Sequence, residues 1–90
     1  MMIDKLFKVM MSEKHDFYHY IDMMEDCGDP AAQAIFYSVA EQEAMHYKKF
    51  YDMIFKEAEK GTWTPMEHAV HKHFKKVYDE MVEILHAHKK

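Results

Sequence analysis

Two glycines and two prolines are the only strong helix breakers in this chain of 90 residues, and their placement leaves little choice of fold. Between them the sequence is rich in Met, Ala, Glu, Lys and similar helix formers, so each uninterrupted stretch predicts a helix. The first runs from about Lys5, with Asp4 as N-cap, to about Cys27, where Gly28 suits the left-handed conformation that ends many helices. Asp29-Pro30 reads as N-cap plus first-turn proline of a second helix, which runs to about Lys60 and stops at Gly61. Thr64-Pro65-Met66-Glu67 is a capping box with proline at the first helical position, opening a third helix that reaches about His88. The link at Gly28-Asp29 is so short that the first two helices must be antiparallel neighbours. The expectation is one all-α domain over residues 1–90: a helical hairpin over 4–60 and a third helix over 65–88.

Ninety residues bury a modest core, and chains of this size commonly gain stability by oligomerising. The net charge of −4 with neutral histidine argues against a nucleic-acid partner, which would need a basic face. No apolar run approaches the roughly 20 residues of a membrane span. The opening MMIDKLFKVMM carries Asp4 and Lys8 and no small-residue cleavage site, so it does not read as a signal peptide. The single Cys27 cannot form an internal disulfide, which fits a reducing cytoplasm. Ten Met and eight His could each mean metal, though Met is also a good core filler.

Apolar residues recur at bundle spacing in all three helices. The first carries Leu6, Met10, Phe17, Tyr20 and Met24, the second Ala32, Phe36, Val39, Phe50 and Met53, and the third Met66, Val70, Phe74, Val77, Met81 and Leu85. The first two seams alternate regularly only if Glu13, Glu43 and His46 are counted in them. A buried carboxylate costs several kcal/mol unless it is paired or binds a cation, so three such groups in one small core need a common explanation.

Hairpin geometry supplies one. Residues equidistant from the Gly28-Asp29 turn stand level, and Glu13 and Glu43 are such a pair, about four turns away. His46 is one turn from Glu43 on the same face. Di-iron four-helix proteins use a Glu from each of two helices and a Glu-x-x-His from each of the other two. This hairpin holds half that set, and a twofold dimer would complete it as a four-helix bundle. Carboxylates that bridge two cations and an imidazole in a terminal position suit iron. A Glu-x-x-His alone is weak, since with this many His and Glu about one arises by chance. A second, Glu83 to His86, aligns with Lys72, Lys76 and Asp79 on a polar side and reads as solvated surface. The alternative for the Glu13 trio is a Glu–His contact that only sets the register of a bundle.

The segment from Phe36 through Ala40 and Glu43 to His46 resembles the second helix of rubrerythrin and ferritin relatives, which reads Phe-x-x-x-Ala-x-x-Glu-x-x-His. The Glu13 to Glu43 spacing resembles the encapsulated ferritins, short chains within the ferritin-like superfamily whose ferroxidase site forms across a dimer. The likeness spans roughly residues 10 to 50. It implies Glu13, Glu43 and His46 as iron ligands, Tyr20 as a supporting aromatic beside the site, a di-iron centre shared between two chains, and a homodimer or ring of dimers. A host shell protein is a further partner it suggests. In the family an aromatic pair follows the first Glu; here Tyr20 matches and His19 stands at the other position. The chain ends His86-Ala-His88-Lys-Lys rather than in the family's short apolar tail, and no paired-cysteine rubredoxin domain is present.

His15 and His19 lie four apart on the first helix and could chelate a metal, but the other motifs of hemerythrins are absent. His68, His71 and His73 open the third helix. The leading expectation is a ferroxidase-type oxidoreductase of the cytoplasm or of a protein compartment within it. It would oxidise Fe(II) with O2 or peroxide in iron storage or oxidative-stress defence. The competing readings are a non-enzymatic helical dimerisation module and a redox-inert site for Zn, Mn or Cu, which the same ligands would also hold.

Overall fold

A computed structural model describes residues 2–58 and 65–89. It contains three helices, α1 (Met2–Asp26), α2 (Pro30–Ala58) and α3 (Pro65–His88), in a particle of 49 × 21 × 16 Å. The expected end of the second helix at Lys60, its stop at Gly61 and the Thr64 cap lie outside the described residues, as does the side chain of Met66. The first helix begins three residues earlier than expected. Asp4 therefore sits inside its first turn, where a carboxylate favours the positive end of the helix dipole, and is not the N-cap.

The hairpin turn is three residues long. Asp29 caps α2 as expected: its carboxylate accepts from the amides of Ala31 at 3.4 Å and Ala32 at 3.3 Å, and its carbonyl accepts from Gln33 at 2.9 Å. Gly28 departs from expectation, because its backbone is not in the left-handed region and the space around it is open. The end of α1 is held instead by the Gln33 side chain, whose Nε2 donates to the Cys27 carbonyl at 2.6 Å. A side chain one turn into α2 thus serves a carbonyl that a left-handed cap would have satisfied.

The core is formed by Leu6, Met10, Phe17, Ile21 and Met24 of α1, Ala40, Ala44, Tyr47 and Ile54 of α2, and Phe74, Val77 and Met81 of α3. The α3 stripe matches the sequence expectation at Phe74, Val77 and Met81, with Val70 and Leu85 half-buried. The α2 stripe is displaced by about one residue from the expected seam, whose members Phe36, Val39 and Phe50 are half-buried and whose Met53 is exposed. On α1, Ile21 is buried and Tyr20 only half so. The physical reason is the small side chains of Ala40 and Ala44, which let α1 approach the α2 backbone more closely than a Phe or Val row would.

This leaves the hairpin with two flanks. On one, α3 packs against α2: Tyr37 donates to the Leu85 carbonyl and Tyr47 to that of Phe74, both at 3.2 Å, and Tyr51 stacks on His71 at 4.6 Å. It also meets α1 through the Phe7–Phe74 ring pair at 5.1 Å and the Glu25–His88 ion pair at 3.2 Å. Val39 and Met53 follow Tyr37 and Tyr51 by two residues, as Val9 and Tyr20 follow Phe7 and Tyr18. Two residues turn a helix by about 200°, so these side chains stand on the opposite flank. There α3 does not reach, and Ile35 is 63 % and Met53 44 % exposed. Among the described residues no helix is long and apolar enough to cross a membrane.

Candidate metal centre

Glu13 stands midway along α1, and Glu43 and His46 stand one turn apart on α2, on the flank away from α3. The three converge as the hairpin geometry predicts: one ligand atom from each lies within 4.8 Å of the others. Among the described residues no other three His, Cys, Asp or Glu side chains come together in this way. His46 Nδ1 is 3.6 Å from Glu13 Oε2, too long for a good hydrogen bond. That oxygen is buried and accepts from no amide, hydroxyl or imidazole.

The trio is not enclosed in the core, as the sequence suggested. Glu13 keeps 19 % of its side-chain surface and His46 keeps 50 %, while Glu43 is half-buried. The seam that holds them is the outward flank of the hairpin, so in a single chain their heads open toward water. Around them stand half-buried Val39 and Phe50 of α2 and the 37 %-exposed Val9 of α1.

Electrostatics couple the two acids. The Glu43 carboxyl is pushed up to about 7, chiefly by a hydrogen bond shared with Glu13, then by burial and by the charges of Glu13 and Asp16, with His46 pulling the other way. Two carboxylates this close cannot both ionise freely, so a proton sits between them unless another cation takes its place. Asp16 was missed by the sequence reasoning. Its position one turn from Glu13 was the available signal, and its carboxylate also lies 3.6 Å from His15 Nδ1.

Other residues singled out from sequence fall elsewhere. Tyr20 is on the same side of α1 as Glu13 but about 10 Å along the axis, and its half-buried ring lies 5.7 Å from that of His19. Glu83 and His86 are exposed, as a solvated pair should be. His71 is sandwiched against Tyr51 and Phe55, with ring centroids 4.6 and 5.6 Å away. Burial, helped by His68, pulls its pKa down.

The donor set fits a divalent cation. It offers two carboxylates and an imidazole, with one acid holding a proton it would release to a metal. No family model, curated protein or solved structure matches this chain. The resemblance to ferritin-like chains therefore rests on residues 10 to 50 alone.

Proposed function

We propose that this chain is a ferroxidase-type oxidoreductase of the ferritin-like kind, which pairs its open hairpin flank with that of a second copy to form a four-helix bundle. Each copy would bring Glu13, Glu43 and His46 to a site for two ions. The observation that carries this reading is the convergence of two acids and an imidazole, Glu13, Glu43 and His46, within 4.8 Å, on the flank that α3 leaves uncovered. A register contact needs only one acid against the imidazole, whereas a cation site uses both.

In this reading Glu43 would be shared between the two ions, and Glu13 and His46 would each hold them as further ligands. Fe(II) is the substrate, and two such ions supply the two electrons that reduce O2 to hydrogen peroxide, with two protons taken up. The chain's own part begins with displacement of the proton that Glu43 shares with Glu13. The freed carboxylates would then offset the cationic charge, and the imidazole of His46 would add a nitrogen donor. Pairing of the flanks would exclude water from the trio and strengthen each of these contacts. The roles that follow are iron storage or oxidative-stress defence, with a cytoplasmic setting suited to the free Cys27.

The test is anaerobic addition of Fe(II) to the purified chain, followed by O2. Two irons per dimer, metal-linked dimerisation and a ferric absorbance that rises faster than in buffer are expected, all lost in Glu43→Ala. If the dimer is equally stable with and without metal and oxidation never exceeds that in buffer, the trio is a register device. Uptake of Zn or Mn in preference to Fe, with no turnover, would leave a metal site without the enzyme.

A further inference from the structure

Two histidines of α1 take no part in the core or in the Glu13 trio. His15 and His19 are four residues apart, so they stand one turn from each other on one face of the helix. Two residues turn a helix by about 200°, which sets His15 on the side of α1 away from Glu13. Both side chains are exposed, His15 to 82 %. Their rings lie nearly parallel, 8° apart with centroids at 6.4 Å.

Parallel imidazoles one turn apart can each give one nitrogen to a single ion. Metal–nitrogen distances of about 2.0–2.1 Å would bring the two centroids to about 5 Å. From 6.4 Å that is a small rotation about side-chain torsions, and exposure leaves room for it. The surroundings favour a cation. Asp16 Oδ1 stands 3.6 Å from His15 Nδ1, which favours the proton on that nitrogen and leaves Nε2 as the donor. A carboxylate behind a ligating imidazole is the usual arrangement of metal sites. Asp22 lies one turn beyond His19 and lines the same cleft as the pair. Together the two acids outweigh the single ammonium of Lys14. Two imidazoles without a bridging acid rank the late divalent ions, copper above nickel and zinc, ahead of iron and manganese. The oxygen-rich trio has the opposite bias.

We propose that His15 and His19 chelate one zinc, nickel or copper ion per chain, with water completing its coordination. The pair and the trio face different sides of the hairpin, so either site can fail without the other.

The experiment is titration of Zn(II) into the full chain and into Glu43→Ala, which disables the trio, read by calorimetry and by the imidazole 15N resonances. In Glu43→Ala one equivalent should still bind, and the ring nitrogens of His15 and His19 should shift together and saturate. His15→Ala and His19→Ala should each raise Kd about tenfold or more, because the remaining imidazole loses its chelate partner. These side chains are exposed, so the fold should survive, and far-UV circular dichroism checks it. Cu(II) should displace the zinc, and His86→Ala, on the polar side of α3, should bind as the parent does. Shifts spread alike over the other histidines, or a Kd unchanged in His15→Ala/His19→Ala, would mean an adventitious ion only and would overturn the proposal. Zinc uptake lost entirely in Glu43→Ala would place all of it at the trio and overturn the proposal as well.

Discussion

Replacing Glu43 by Gln should stabilise the metal-free chain at pH 8 and leave it nearly unchanged at pH 5. In the folded chain Glu43 holds its proton up to about 7, against an ordinary 4.5, because Glu13 shares it. A carboxyl whose folded pKa is raised binds its proton more tightly folded than unfolded. Its stabilising contribution is complete below about pH 4.5 and is lost as the pH rises through about 7. Without screening, that gap is worth about 3 kcal/mol. The trio opens to water beside His46, so about 1 kcal/mol is the expected size. Gln at position 43 keeps an amide donor for Glu13 and never ionises, so it loses nothing over this range.

The assay is urea unfolding followed by circular dichroism at pH 5 and pH 8, in chelator and at one protein concentration, since pairing makes stability depend on concentration. Titrations common to both chains cancel in the difference between them, so the Gln variant should gain about 1 kcal/mol on the parent between the two pH values. With a divalent cation at 100 times its Kd the order at pH 8 should reverse, because a site bound only in the folded state contributes about 2.7 kcal/mol and the Gln variant has lost a charged ligand. A difference that does not change with pH would refute the shared proton. A Gln variant less stable than the parent at pH 8 in chelator would refute it as well.

Phe17→Ala should destabilise by about 3–5 kcal/mol in the same urea assay, since the side chain is fully buried and leaves a cavity; a loss near zero would mean that α1 is not packed as described. Tyr47→Phe removes the buried hydroxyl that donates to the Phe74 carbonyl and should cost about 1 kcal/mol. No change there would show that the bond does not hold α3 to α2. The double variant Ile35→Lys/Met53→Lys alters two side chains that are 63 % and 44 % exposed, so helix content should hold while sedimentation shows loss of the proposed dimer; a dimer that persists would place pairing elsewhere.

The helix count and the hairpin were legible because their signals are local. Asp29-Pro30 at a helix start means the same thing in any surroundings, and a short turn forces antiparallel neighbours. The Glu13, Glu43 and His46 meeting was legible for the same reason, since level positions follow from the turn. What sequence could not decide was which stripe of α2 enters the core. That helix is apolar on more than one side, with Phe36, Val39, Phe50 and Met53 on one stripe and Ala40, Ala44, Tyr47 and Ile54 on the next. Periodicity ranks stripes by bulk, so it favoured Phe and Val, whereas close approach of two helices favours Ala. The turn chemistry at Gly28 depends on the reach of Gln33, and the influence of Asp16 on Glu43 on a side-chain position, neither of which a residue pattern encodes.

The composition of the trio itself weighs between a metal centre and a register device. A single Glu13–His46 contact across the hairpin would suffice to hold α1 and α2 in register, and it needs no third member. Adding Glu43 places a second acid against the first, which raises the free energy of the chain above about pH 7 unless something positive lies between them. His46 is half exposed and 3.6 Å away, so its contact with the pair is loose and open to water. A proton relieves the repulsion in acid, but near neutrality that relief is fading. The acid pair is therefore an unfavourable arrangement in the isolated chain at the pH where cells work, and a cation between the two carboxylates is the addition that turns it into a favourable one. Two hairpins brought flank to flank would double the charge, and with it the demand for cations, so metal binding and pairing should strengthen each other.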